Sequence, residues 1–527
     1  MLVLASIRRA RSNASFVASP PSLSTYPAHD GASLSTIFKV SLGQHGAVAI
    51  PPVYFSSSSL RCSQWPGAST DWCPRDSTQA WTSFWFDAAP VNVTVSTSSP
   101  GGWGDWSQVV LLPRSASSVL RRINESTLSF VLSPSRLGWK LSLESAPQRA
   151  PARGGYPSVV KHSLMIFADP ESTAPDPGRS VAGTLYFGPG LHDLRGQLPI
   201  PASVTSIYVA GGAWVSGGFV TISKEATVVI SGRGVISGTE YRFLKDPAGF
   251  GECQFNGSFC WSLVNMDRGA SHRLEGVVLH DPPKFHFRSY APAVCVHGVK
   301  MVGAWTPNSD GVVVGVGGLV SDSFIRSSDD SIKLFGNGSE VRDCTVWQMA
   351  NGAVFQLGWW DHHEICAILV SRLTVLHADW RIVDERYAGA HATNDAVFDL
   401  RGPGGGTPRP PGPHPAGMYT ITNITWRDLY IETPIEGGGL FRMNLSAASG
   451  TVRGLHFERL RVPSRMRSSV AETAEQWIGG FHLVDLMVEG SCARDLSAAG
   501  FSLAPPMNAT FECSKSPARA ASPETTL

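Results

Sequence analysis

The chain has 527 residues, a formal net charge of +1, 43% hydrophobic and only 16% charged residues. Its length exceeds one ordinary core, and its balanced charge excludes the basic footprint of a nucleic-acid binder. No stretch approaches the ~18 consecutive apolar residues of a membrane-spanning helix, and 53 glycines with 37 prolines favour a turn-rich β protein.

Residues 1–32 read as a disordered or targeting segment. The apolar run MLVLASI precedes Arg8 and Arg9, the reverse of the order in a secretory signal, and the lack of acids before Asp30 also fits a transit peptide. Residues 33–170 carry alternating runs such as SFWFDAAPVNVTVSTS, TLSFVLSP and WKLSLES, which predict an N-terminal antiparallel β-sandwich. The Pro- and Ser-containing stretch ADPESTAPDPGRS, residues 168–180, reads as the connection to a second domain.

From residue 181 to 513 the chain repeats itself. LYFGPG around Phe187 recurs around Val209 and Ile230 at intervals of 22 and 21 residues. A second series runs through Val277, Val299, Val320 and Val341, spaced 22, 21 and 21. Short β-branched strands at this period, with no helix-length segment between them, predict a right-handed, single-stranded parallel β-helix in an all-β chain. Longer intervals to Leu429, Leu460 and Leu486 imply inserted loops, one being the Gly- and Pro-rich segment 402–417. Residues 514–527 read as a disordered tail.

Nine cysteines include the close pairs Cys62 with Cys73, Cys253 with Cys260 and Cys492 with Cys513. None has zinc-site spacing, so local disulfides are expected, with Cys295, Cys344 and Cys366 as buried thiols. Eight N-x-S/T sequons, at Asn13, Asn92, Asn124, Asn256, Asn337, Asn423, Asn444 and Asn508, agree with a secretory route. An extracellular monomer is expected.

The chemistry-bearing stretches are TPNSDGVVVG and RSSDDSIKLFGNG, which bring Asp310, Asp329 and Asp330 into neighbouring coils. A coil of about 21 residues stacks Asp310 nearest Ser331 and puts the Cα atoms of Asp310 and Asp329 roughly 8 Å apart. Inverting glycosidases separate their two carboxyl groups by about 6.5–9.5 Å. A regular strand would bury one of two consecutive acids in an apolar core, so a bend must present both. Their repulsion would raise one pKa, as a general acid requires. The competing reading is that S-D-D and N-S-D-G are turn sequences whose Asp side chains cap local backbone. No D-x-D-x-D calcium loop accompanies them, His362, His363 and His377 have no metal-ligand spacing, and no metal or cofactor is implied. Trp305, Trp347 and Trp359 crowd the same region as candidate sugar platforms, joined by Lys333 and Gln356 as candidate substrate contacts.

These residues resemble glycoside hydrolase family 49, the dextranases and isopullulanases. The likeness is carried over residues 180–385 by ISGRGVISGTEY, VVLHDPP, NSDGV, VSDSFIRSSDDSIKLF and VWQMANGAVFQLGW. It implies inverting, endo-acting hydrolysis of an α-glucan, either dextran at α-1,6 bonds or pullulan at α-1,4 bonds. By that resemblance Asp329 is the general acid, and Asp310 or Asp330 activates water. The chain departs from the family at Val313, where some relatives place an acid, and in the 402–417 segment. Two other readings compete: a polygalacturonase-like hydrolase, for which Arg326, Lys333 and Arg342 offer little basic surface, and a non-catalytic polysaccharide-binding β-helix.

Overall fold

The computed structural model describes residues 23–56, 78–87, 89–116, 118–145, 162–170, 181–241, 262–303, 309–349, 352–358, 364–379, 396–401, 418–435, 438–444, 449–465, 468–471, 476–503 and 509–514. Almost all of it is β-structure, in two bodies. Two of the expected disulfides and the 402–417 segment lie outside the described residues; the bond Cys492–Cys513 is formed, with its Cα atoms 6.2 Å apart. Of the remaining thiols only Cys344 is buried, while Cys295 and Cys366 are half-buried, contrary to expectation. No described helix is long and apolar enough to cross a membrane.

The N-terminal body is a β-sandwich. One sheet holds Phe38–Gln44, Ala47–Ala49, Val91–Thr97, Arg121–Arg122 and Thr127–Leu132. The other contains Thr78–Phe86, Val109–Leu112, Trp139–Ser145 and His162–Pro170. Val40, Leu42, Val93, Val95, Phe130, Leu141, Leu143, Leu164 and Ile166 interdigitate between them, as period-2 burial requires. The structure corrects the sequence reading twice. Thr78–Phe86 and His162–Pro170 run parallel, so the sandwich is not wholly antiparallel. It also starts before residue 33: Ser24–Thr25 pairs with Trp85 and Phe84, a two-residue strand too short to leave a periodic signal.

The second body is a right-handed parallel β-helix. From Val235–Ser237 through Phe355–Gly358 each coil contributes three short strands, and each strand up to Glu340–Arg342 pairs with the third one after it. Inward side chains stack into ladders. One runs Ile207, Ile230, Leu274, Val296, Val320, Val341, Val370, Trp426, Phe457, Leu483 and Phe511. Another runs Phe287, Val312, Ile332, Phe355, Phe398 and Phe441, its last three rings stacked. Each rung rises by about 4.8 Å, so like side chains meet and a continuous apolar core forms. These registers correct the apparent sequence periods. Ile230 stands over Ile207, not Val209, and Val320 stands over Val296, not Val299. Strands of different faces have the same composition, so sequence spacing alone merges their columns.

One corner of the coil is a column of single residues in the left-handed region. Gly276 and Gly298 begin it, and Asp322, Asp343, Arg372, Asp428, Arg459 and Asp485 continue it at φ between 50 and 57°. Glycine and aspartate tolerate this backbone; arginine does not readily. Arg372 and Arg459 are held there by paired hydrogen bonds to Asp343 and Asp428 of the coil before.

The sandwich packs on one face of the helix. Trp81, Leu112, Met165 and Phe167 meet Val235, Val278, Val302, Phe324, Trp347 and Leu376. The sandwich strands at this contact are therefore buried on both sides, which explains why Trp139–Ser145 and His162–Pro170 read as nearly continuous buried runs. Their polar members are paired across the junction: Asp169 with Lys300 (2.5 Å) and Arg233 (2.7 Å), Lys140 with Asp322, and Glu144 with His377 (2.8 Å).

Candidate active site

The acids stand at the corner that leads into the strands Val312–Val313 and Ile332–Lys333. Val312 pairs with Ile332, twenty residues on, so Asp310 lies beside Asp330 and not beside Ser331 as the 21-residue estimate implied. The ladder continues through this corner, with Gly311 N–H donating to Asp330 O (2.9 Å). Ser328 and Asp329 form the bend that two consecutive acids demanded. Hydroxyls and an amide tie it down. Ser309 Oγ lies 2.8 Å from Ser328 Oγ, Ser327 Oγ donates to Asp329 O (3.0 Å), and Gln348 Nε2 donates to the same carbonyl (3.0 Å). Ser331 Oγ in turn donates to Gln348 Oε1 (2.5 Å).

Each of the three acids offers a carboxylate oxygen within 4.8 Å of the others. This is closer than the separation of about 6.5–9.5 Å usual for an inverting pair; with Asp310 stacked on Asp330, Asp329 is one residue along the strand from it, where the sequence estimate assumed two. Lys333 Nζ bridges two of them, reaching Asp310 Oδ2 at 2.9 Å and Asp330 Oδ2. Asp330 Oδ1 accepts the Ala353 N–H (2.9 Å), and Asp329 Oδ1 accepts the Asp330 N–H (2.8 Å). Asp310 Oδ1 is buried without a hydrogen-bond partner among the described residues. The ammonium already sits where a cation between Asp310 and Asp330 would sit, so the donor set does not call for a metal.

Burial dominates the electrostatics: Asp310 and Asp330 are each 2% exposed and Asp329 6%. Burial, reinforced by Asp330 and opposed by Lys333, pushes Asp310 up to about 7. Burial and the charges of Asp310 and Asp330 hold Asp329 well above the usual carboxylate range. Burial disfavours the Lys333 charge, but the three acids outweigh it and raise its pKa. One carboxyl that keeps its proton beside another that ionises near neutrality is the pairing acid–base catalysis needs.

Among the expected substrate contacts, Lys333 belongs to this cluster, its Nζ 5.3 and 5.8 Å from the ring centres of Phe285 and Phe335. Gln356 is the next rung beyond Lys333 on the same outward row, fully buried, with Nε2 donating to Leu357 O (2.8 Å). Trp347 is not a sugar platform. It lies on the face covered by the sandwich, 3% exposed, against Arg326 (4.9 Å) and His377 (4.5 Å). Trp305 and Trp359 lie outside the described residues.

Sequence reasoning missed several residues. Asp399 and Arg442 extend the outward row past Gln356. His286 lies under Asp310, where its N–H donates to the Asp310 carbonyl and its Nδ1 lies 2.8 Å from it; burial drops its pKa to about 4. Gly352 is also missed: a Cβ there would strike Asp330 N and come within 2.6 Å of Asp329 Oδ1. The legible signal was the run S-S-D-D-S, small polar residues where a coil should present apolar ones.

No family model matches the chain. An isopullulanase of Aspergillus niger is 28% identical over 408 residues, covering 70% of this chain and 68% of its own. A dextranase of Arthrobacter globiformis is 25% identical over 364 residues, covering 59% of this chain and 57% of its own. In fold, Dex49A from Penicillium minioluteum matches with a TM-score of 0.72 and 17% identity, covering 91% of this chain and 96% of that one. These likenesses support assigning the chain to glycoside hydrolase family 49. It spans little more than half the length of the dextranase and about two thirds of the isopullulanase. Like the Dex49A fold, the chain carries the sandwich and β-helix together, the acids lying on a corner beside the sandwich-covered face.

Proposed function

We propose that the protein is a secreted, monomeric endo-hydrolase of an α-glucan that inverts the anomeric centre, with dextran α-1,6 bonds as its first substrate. The observation that carries this reading is the division of labour among the three acids. Asp329, whose proton is held by burial and two neighbouring charges, gives that proton to the glycosidic oxygen as the bond to the anomeric carbon breaks. Asp310 takes a proton from the attacking water through Oδ1, the oxygen that no other group among the described residues engages. Asp330 is committed to Ala353 and Lys333 and serves to fix Lys333 and tune Asp310.

In-line displacement puts water and leaving oxygen on opposite sides of the anomeric carbon. Carboxylates within 4.8 Å of one another serve both only if the sugar presents its edge to the cluster. Lys333, Gln356, Trp305 and Trp359 are the proposed substrate contacts. Pullulan is the second candidate, because an isopullulanase is among the relatives and covers more of this chain than the dextranase does.

The test is reducing-sugar release from dextran, pullulan and polygalacturonate, with proton NMR of the first anomer formed. Release from an α-glucan with the β-anomer first supports the reading. The α-anomer first would replace inversion by the retaining chemistry that a separation of about 5–5.5 Å serves. Activity on polygalacturonate alone, or glucan binding without cleavage, would overturn the α-glucan hydrolase.

A further inference from the structure

Four sequon asparagines have described side chains, and three of them have a local structural task. Asn124 Oδ1 accepts the Ser126 N–H (3.0 Å), a turn-forming bond. Asn337 Oδ1 accepts the Cys366 N–H (2.9 Å), and Asn423 occupies a left-handed corner at φ 54°. Asn92 differs. It is the second residue of the strand Val91–Thr97, paired on both sides in a conformation where asparagine is disfavoured; it is exposed, and no hydrogen bond among the described residues ends on its side chain.

Its neighbours across the sheet are unusual too. The row reads Val48, Gly43, Asn92, Val131, with Val48 71% and Val131 50% exposed. Val119, 78% exposed, follows Ser118, whose Oγ donates to Val131 O (2.8 Å). Gly43 leaves an open floor beside Asn92. The outer sheet of the sandwich thus displays an uncovered apolar row with an acceptor sequon, Asn92-Val93-Thr94, set into it.

We propose that Asn92 carries an N-linked glycan whose first sugars lie over Val131 and Val119 on one side and reach across Gly43 to Val48 on the other. In the modification Nδ2 of Asn92 attacks the first sugar of a lipid-linked oligosaccharide. The new bond joins Nδ2 to the anomeric carbon, the sugar–phosphate bond breaks, the lipid diphosphate leaves, and the amide proton passes to solvent. A glycan here replaces water over aliphatic groups with the C–H face of a pyranose and adds a bulky solubilising group to an exposed sheet.

The full chain, secreted from a yeast host, tests this by glycopeptide mass spectrometry, with Asn92→Gln and Thr94→Ala as independent removals of the sequon. Occupancy at Asn92, loss of one glycan mass in both variants, and in both a gain in apolar-dye fluorescence with an earlier onset of aggregation on heating are expected. An unoccupied Asn92 in the secreted protein overturns the proposal. Occupancy with dye binding and aggregation unchanged in both variants overturns the covering role.

Discussion

Asp310 and Asp329 have the same side chain, and their surroundings suit them to the different tasks proposed for them. Asp329 feels the like charges of Asp310 and Asp330, whereas Asp310 is ion-paired with Lys333. Asp329→Asn should lower kcat by roughly 10²–10⁴-fold with little change in KM, the range lost with a general acid. Lys333 lowers the Asp310 pKa from what burial alone would give. Lys333→Met should therefore shift the acid limb of kcat/KM, near pH 7 in the native protein, to higher pH; an unmoved limb would take Asp310 out of the base role.

The same shift links pH to stability. Asp310 goes from an ordinary 3.8 to about 7 on folding, so the native state holds the extra proton in that interval. Its contribution is complete below about pH 3.8 and is lost as pH rises through about 7, at no more than ~1.4 kcal/mol per pH unit. Urea unfolding of Asp310→Asn across pH 4–7 should lack this component.

The corner element that carries Asp329 and Asp330 works because successive coils approach closely. Gly352 and Gly338 both have left-handed backbone, at φ 73 and 66°. Alanine at either should cost about 1–2 kcal/mol for that reason alone. Only at Gly352 would the new Cβ meet the acid pair; at Gly338 nothing lies within 4 Å. Gly352→Ala should thus lose activity well beyond its loss of stability, while Gly338→Ala should lose stability only. Equal activity in the two variants, compared at matched folded fraction, would show that the acids do not depend on this packing. Ser327 and Gln348 act likewise, holding the Asp329 carbonyl and so the bend itself.

Across the whole molecule, the sandwich closes one face of the β-helix with an apolar patch studded by buried charges. Lys300 is fully buried, and burial drops its pKa to about 8. Burial opposes the Asp169 charge as well, yet Lys300 and Arg233 hold that carboxyl below its ordinary range. Asp169→Leu strands Lys300 and should cost about 3–5 kcal/mol in denaturant unfolding. Adding Lys300→Met should restore most of that loss, since an apolar pair of similar volume replaces a buried ion pair at little cost. Failure of the second change to rescue would mean that Arg233, the other partner of Asp169, governs the junction.

The range of the forces involved sets how much of this molecule is legible in its sequence. The coil period, the three acids and the need for a bend at Asp329 and Asp330 are local consequences of β-branched spacing and of the cost of burying a charge, and they stood in the sequence. The bridging Lys333 was visible only as a nearby residue with several possible roles. Its place between Asp310 and Asp330 depends on a twenty-residue step that repeats of 21 and 22 concealed. Trp347 was read as a platform because an aromatic one coil beyond the acids looks the same in sequence whether its face meets solvent or another domain. Residues far away along the chain decide that, by covering its face with Leu112, Met165 and Phe167. Period and polarity within a coil are set by neighbours along the chain, whereas register between coils and the choice of covered face are set by packing across it; only the tertiary structure decides those.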